Sequence, residues 1–351
     1  MSDSSPTRRT RAQRRAVRLF ARAPRPVVRR LAAKAPTNAD GETLAPEVHL
    51  ALALLNRLPG SDYSDKPVEH ARRHLLQEAV VFGETFGPFA VEEHLSIPGP
   101  AGTIPATRYR ARATKANGLI VYFHGGGWVL GDRTSTESIA RFLAVHTGAQ
   151  VLSVDYRLAP EHPYPAAIDD GHAAWEYAVA HAPQWGIDVD RLVVAGDSAG
   201  ANISAVLAQR LRGNTYQPRL QVLFCPVTDL STEHPSYGEF AQGFFLTRKQ
   251  MRWFKDHYVS DPVHAHDPGV SPLLADDVGG VAPAYIGIAG FDPLRDEGIA
   301  YAERLRAAGV PTTLHRASSM IHAYVNITRV SRTARESTLH ACRAISDALR
   351  L

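Results

Sequence analysis

The spacing of apolar positions changes partway along the chain. From residue 119 onward they gather in short runs, at 119–123, 149–154, 191–195, 220–225, 284–288 and 312–316. Between or after these runs lie 134–146, 168–180, 201–212, 297–308 and 333–349, whose composition and periodicity predict helices. Short apolar strands alternating with helices predict a mostly parallel sheet covered on both faces. Residues 91–97 and 103–110, joined by a turn at 99–102, predict a hairpin that raises the strand count to eight. Upstream, 46–58 (Val48, Leu52, Leu55, Leu58) and 68–82 (Leu75, Leu76, Ala79, Val80) predict two helices that could form part of a lid. One stretch breaks the rhythm. Residues 231–270 are aromatic-rich and too long for a plain strand-to-helix connection, so they predict an insertion over the carboxyl edge of the sheet, where such folds bind ligands.

With 351 residues, 44% of them hydrophobic, the chain can bury a large core. It contains no apolar run of the length a membrane span needs. Two cysteines, Cys225 and Cys342, make neither a disulfide framework nor a metal pattern, and suit a reducing, cytoplasmic interior. The net charge of +4 averages two unlike parts. Residues 1–34 carry eleven Lys or Arg against Asp3 alone, and the rest of the chain is mildly acidic. That distribution gives no basic stripe on the folded body and argues against a nucleic-acid partner. The expected organisation is a basic, disordered arm over 1–38, a helical cap segment over 39–85, and a main α/β domain over 86–351 containing the insertion. Pro24 and Pro26 are expected to interrupt any helix in the arm. It reads as solvated, with weak contact to an anionic membrane as the alternative.

Candidate chemistry sits at the third of these strands to be followed closely, 191–195, where Gly196-Asp197-Ser198-Ala199-Gly200 lies between strand and helix. That context is required of a nucleophile elbow, which lifts a serine hydroxyl above the sheet edge. A serine needs a base, and the base needs an orienting acid, in the chain order Ser, acid, His for this topology. Of the downstream histidines, His315 falls in a strand, His340 in a helix, and His234, His257, His264 and His266 in the insertion. His322 follows the last strand. Asp292 comes directly off the preceding strand, whereas Asp296 and Glu297 suit a first helical turn. His162 is the second candidate base, although it precedes the serine. An oxyanion needs backbone donors, and His124-Gly125-Gly126-Gly127-Trp128 follows strand 119–123, with the Ala199 amide as the other half.

Taken together, the His124-Gly-Gly-Gly-Trp run, Asp155-Tyr-Arg-Leu-Ala-Pro-Glu-His-Pro-Tyr-Pro165, the Ser198 elbow, Asp292-Pro-Leu-Arg-Asp-Glu297 and His322 resemble the hormone-sensitive-lipase-like carboxylesterases of the α/β-hydrolase superfamily. The resemblance spans roughly 85–345. It implies an α/β-hydrolase fold with a helical cap over an acyl pocket, built from about 40–85 and 231–270. It also implies Ser198 as nucleophile, His322 as base, Asp292 as acid, and oxyanion donors from Gly126, Gly127 and Ala199, with Gly125 a weaker member of that set. Trp128, Asp197 and Tyr324 are expected in the substrate pocket. One departure stands out: the family's His-Gly-Phe is His322-Ala323-Tyr324 here, which puts the turn after the base in question. The expected activity is hydrolysis of short- to medium-chain esters through an acyl-enzyme, without metal or cofactor. The expected partners are a small-molecule ester and, as an option, a second copy of the chain. An amidase or deacetylase would share every catalytic residue, and a non-catalytic binder on the same fold is the remaining alternative.

Overall fold

The computed structural model describes residues 14–15, 23–57, 62–112 and 117–350. Its centre is an eight-stranded sheet in the order β1-β2-β4-β3-β5-β6-β7-β8. The strands are β1 Val91–Gly99, β2 Gly102–Arg110, β3 Leu119–Phe123, β4 Gln150–Val154, β5 Leu192–Asp197, β6 Gln221–Phe224, β7 Ala284–Phe291 and β8 Thr312–Ile321. β2 runs antiparallel to both of its neighbours, and every pairing from β4 to β8 is parallel. The covering of both faces of the sheet follows from side-chain alternation. In β3, Leu119, Val121 and Phe123 enter one apolar cluster while Ile120 and Tyr122 enter another. A strand that is apolar at every position must be covered on both sides. Here α5 (Ala166–His181), α6 (Ala199–Arg210) and α9 (Arg295–Ala307) cover one face, and α4 (Glu137–Thr147) and α10 (Arg332–Leu349) the other.

The remaining helices are α1 Arg25–Leu31, α2 Pro46–Leu55, α3 Val68–Phe82, α7 Pro235–Glu239 and α8 Arg248–Tyr258. α2 and α3 precede the sheet, and α7 and α8 lie within the insertion. α8 begins with a reciprocal cap: Thr247 Oγ1 accepts from the Gln250 amide at 3.1 Å, and Gln250 Oε1 accepts from the Thr247 amide at 3.0 Å. The predicted helix over 46–58 ends at Leu55, and Leu58 lies outside the described residues.

Two expectations change. Most of 1–22, including Val17, Leu19 and Phe20, lies outside the described residues, but 23–38 is not a free arm. Pro26 sits in the first turn of α1, where its missing N–H and fixed φ suit a helix start rather than a break. Val28 and Ala32 are buried, and Asn38 Nδ2 donates to the Gly290 carbonyl at 3.0 Å. β8 also runs five residues past the predicted 316. Ser318 and Ser319 read as a loop but lie within β8, at an irregularity in its pairing with β7 between Ala289 and Phe291. No helix among the described residues is long and apolar enough to cross a membrane.

Candidate active site

At the carboxyl ends of β5, β7 and β8 the chain assembles one polar constellation. Ser198 adopts φ 56° and ψ −117° at the end of β5. The conformation is strained for a residue with a Cβ, and it is held from both sides. The Ser198 amide donates to Phe224 O at 2.8 Å, and its carbonyl accepts from the Asn202 amide at 3.0 Å. Close approach makes the turn possible: a Cβ on Gly200 would lie 2.0 Å from Phe123 O. Asn202, at the start of an apparent glycosylation sequon, is fully buried and donates to Val227 O and Val270 O.

His322 follows β8, and its Nδ1 lies 2.8 Å from Asp292 Oδ2. Asp292 follows β7, is buried, and accepts the Leu294 amide on its other oxygen at 2.9 Å. Asp296 is instead engaged by Arg295 and by Ser236 of the insertion, and Glu297 by the Thr228 and Asp229 amides. His162 is exposed and does not line the cavity that Ser198 and His322 share. Ala323 takes up the left-handed conformation, φ 59°, that the family's glycine would adopt, so the turn survives with a strained residue in it.

The glycine run behaves less uniformly than expected. Gly125 is not a free donor: its N–H donates to Asp197 Oδ1 at 2.9 Å. The same oxygen accepts from Tyr122 Oη at 2.6 Å, and Asp197 Oδ2 accepts from Asn326 Nδ2 at 3.2 Å. Burial and the Asp197 charge push the Tyr122 hydroxyl well up, so it remains a donor. The Gly126, Gly127 and Ala199 amides donate to no protein acceptor. Gly127 has φ 60°, and a Cβ there would lie 2.2 Å from the Phe254 ring. This glycine is required both by its backbone angle and by the insertion packed over it.

Of the three residues expected in the pocket, only Asp197 lines it. Trp128, with φ 59°, turns inward and stacks on Tyr258 at 4.1 Å between ring centroids, fully buried. Tyr324 is fully buried beneath the site and packs edge-on against Phe224. The cavity itself, about 230 Å³, is lined by catalytic-edge residues together with Val48, Leu52 and Ala79 of α2 and α3 and with Phe245, Leu246 and Phe254 of the insertion.

Two contributors carry no motif signal. Cys225, at the end of β6, has its sulfur within 4.8 Å of the ligand atoms of Asp292 and His322, the one metal-like grouping of His, Cys and acidic side chains found among the described residues. Burial and the neighbouring Asp292 charge push its thiol well up, so it is a protonated donor to the acid rather than a thiolate ligand. Arg72 of α3 donates to Val129 O at 2.9 Å, just beyond the glycine run, and to Ala159 O at 3.0 Å. It also pairs with both oxygens of Glu161, which ties the 155–165 loop to α3.

Residues 120–326 match the family described as alpha/beta hydrolase fold. The chain is 43% identical over 317 residues to the carboxylic ester hydrolase LipN of Mycobacterium tuberculosis, covering 87% of this chain and 83% of that protein. It is 34% identical over 287 residues to an ethyl acetate hydrolase of Pseudomonas putida, covering 80% and 90%. Among solved structures, an ester hydrolase from the metagenome of Lake Arreo, complexed with a bipyridine phosphonate derivative, superposes with TM-score 0.82 at 37% identity over 87% of this chain and 99% of that one. A thermostable esterase from Pseudomonas putida gives TM-score 0.83 at 34% identity over 88% and 98%.

Proposed function

This chain belongs to the hormone-sensitive-lipase-like carboxylesterases of the α/β-hydrolase fold, and from that premise we propose how its residues divide the work of ester hydrolysis. His322 removes the Ser198 hydroxyl proton as Oγ attacks the ester carbonyl. The tetrahedral oxyanion rests on the Gly126, Gly127 and Ala199 amides, a reading supported by their donating to no protein acceptor. The carbon–oxygen bond to the alcohol breaks, and His322 returns the proton to the leaving alcohol. A water then gives its proton to His322, attacks the acyl-enzyme and releases the acid as Ser198 is reprotonated. Asp292 holds the Nδ1–H of His322 and stabilises the imidazolium at each step. Asp197 keeps the glycine run in place from beneath.

The observation that carries this reading is the 2.8 Å contact between His322 and Asp292, with His322 lining the same cavity as the strained Ser198. A cavity of about 230 Å³ under two cap segments supports short to medium acyl chains. A fluorophosphonate probe should label Ser198, and p-nitrophenyl esters from acetate to palmitate should show turnover peaking below the long-chain members. Absence of both labelling and turnover sinks the assignment. Exposed Val27 and Leu31 of α1, together with the basic run before them, support weak attachment to anionic bilayers, tested by vesicle co-sedimentation with and without residues 1–34. β8 at the sheet edge supports a homodimer, tested by sedimentation equilibrium.

A further inference from the structure

Within the cavity wall is a carboxyl that the chemistry above does not use. Glu78 of α3 lines the cavity among Leu75, Ala79 and Phe82, and its side chain keeps only 18% of its exposure. Among the described residues no hydrogen-bond donor serves it. The nearest basic atom is His74 Nδ1 at 3.8 Å, one helical turn away, and burial together with His70 pushes His74 down toward its neutral form. Burial alone raises the Glu78 carboxyl to about 7. A nearly buried acid without a partner is destabilising, and such groups concentrate where a ligand completes them.

The charge balance of the wall narrows the choice of ligand. Among the described residues three carboxyls line the cavity, those of Asp62, Glu78 and Asp197, and no Lys or Arg does so. Asp197 is consumed by Tyr122, Gly125 and Asn326. Asp62 accepts from Ser64 and lies 3.8 Å from Lys249, which also pairs with Asp65 at the rim. Glu78 alone is uncommitted. Tyr63 stands near it, partly buried, its hydroxyl pushed up first by burial and then by the Glu78 and Asp62 charges, with Phe254 at 6.2 Å from Tyr63 between ring centroids. An acid in a largely apolar wall that also carries Tyr63, Phe82 and Phe254 suits an alkylammonium group.

We propose that Glu78 is a specificity-determining residue, and that the cavity takes esters bearing a cationic nitrogen on the chain that lies against α3. The inference rests on the ester-hydrolase reading of the same site. The titratable and charged groups around Glu78 are His74 and His70 on its own helix, Asp62 and Tyr63 on the segment before it, Lys249 beside Asp62, and Asp197 and His322 elsewhere in the cavity wall. Only Glu78 is free to pair with the ligand.

The test uses the full chain and two isosteric pairs. Butyrylthiocholine against 3,3-dimethylbutyl thiobutyrate places the charge on the leaving group. The p-nitrophenyl esters of 4-(trimethylammonio)butyrate and of 5,5-dimethylhexanoate place it on the acyl group. In one pair the cationic member should be favoured in kcat/KM, and the preference should grow as pH rises from 6 to 8. Glu78→Gln should reduce that cation-to-neutral ratio by about tenfold or more, the scale expected on losing a desolvated charge pair. Glu78→Asp should recover part of it, and fluorophosphonate labelling of each variant reports an intact Ser198. Equal ratios for the wild type and Glu78→Gln in both pairs, with labelling intact, overturn the proposal. Failure of the wild type to cleave either uncharged ester or p-nitrophenyl butyrate would instead overturn the ester-hydrolase reading.

Discussion

The sheet and the cap surround the same cavity but are held in place by different physics. Every residue of β3, β4, β5, β6 and β7 is buried, and α6 buries all but its last two residues. In α3, by contrast, only Ala71 and Val81 are buried, and in α2 only Val48 and Leu52. Leu54 and Val80 on those helices are exposed. A segment with few buried contacts opens at lower free energy than a close-packed one. Catalytic geometry therefore belongs to the sheet, while the cap supplies a wall that can yield to substrates. Substitutions on the sheet side should act on kcat, and those on the cap side on KM and on discrimination.

The sheet side should break hardest. Ser198→Ala and His322→Ala should each reduce ester turnover by roughly 10³–10⁶ with folding intact, the range seen when triad members are removed. His162→Ala, at an exposed position of the 155–165 loop, should stay within about threefold of wild type, because nothing ties it to the transition state. Steady-state kinetics on p-nitrophenyl butyrate decide the matter, and equal loss in the two histidine variants would remove His322 from its role.

Next in size is the anchor beneath the glycines. Asp197→Ala strips the acceptor from Tyr122, Gly125 and Asn326 at once, leaving buried donors unpaired at about 1–3 kcal/mol each. The glycine run should shift, and a displacement of about 1 Å is worth roughly 10² in rate. We expect kcat down by about 10² with a lowered melting temperature, and a kcat within twofold of wild type would show that the loop holds itself.

These two predictions also mark where the sequence was readable. Ser198, Asp292 and His322 follow from local rules, each at the end of a strand whose apolar run announces it. The eight strands were legible for the same reason. Gly125 was misplaced because its fate depends on a side chain 72 positions away, and no pattern in a glycine run reports that contact. Trp128 and Tyr324 looked like pocket residues from their neighbours, but backbone angle and packing turn both into the core. Pro26 looked like a breaker because its position within α1 was unknown. Glu78 was invisible for another reason: one acid among the charged residues of an amphipathic helix is ordinary until the opposing cavity wall is known.

Glu78 also makes the cap's stability depend on pH in a direction opposite to most acids. Its carboxyl is raised from the ordinary 4.5 to about 7. Between those values the folded chain holds a proton that the unfolded chain has lost, so stability falls as pH rises and levels off above about 7. Relative to Glu78→Gln, the wild type should be nearly equal at pH 4 and less stable by on the order of 2–3 kcal/mol at pH 8. Urea denaturation at the two pH values measures the difference, and a gap that is the same at both would mean the carboxyl is solvated.

The smallest expected effect tests the seam between the two regions. Arg72 reaches from α3 to the carbonyls of Val129 and Ala159 and to Glu161, whose carboxyl it holds down to about 2. A folded pKa that low means the pairing persists above the ordinary carboxylate range and is lost only as pH falls toward 2. Glu161 is half exposed, so the charge itself contributes little to stability. The two carbonyls matter more, because Val129 follows the glycine run closely and the Ala159 amide bonds to Trp128 O, so Arg72 fixes α3 against that run. Arg72→Ala should lower kcat/KM by about tenfold, chiefly through KM, for esters long enough to touch α3, at roughly 1 kcal/mol per lost bond. Acetate esters should be affected least, and limited proteolysis within 62–83 should quicken. If kcat falls instead and KM holds, Arg72 acts on the oxyanion loop, and that seam belongs to the rigid side of the molecule.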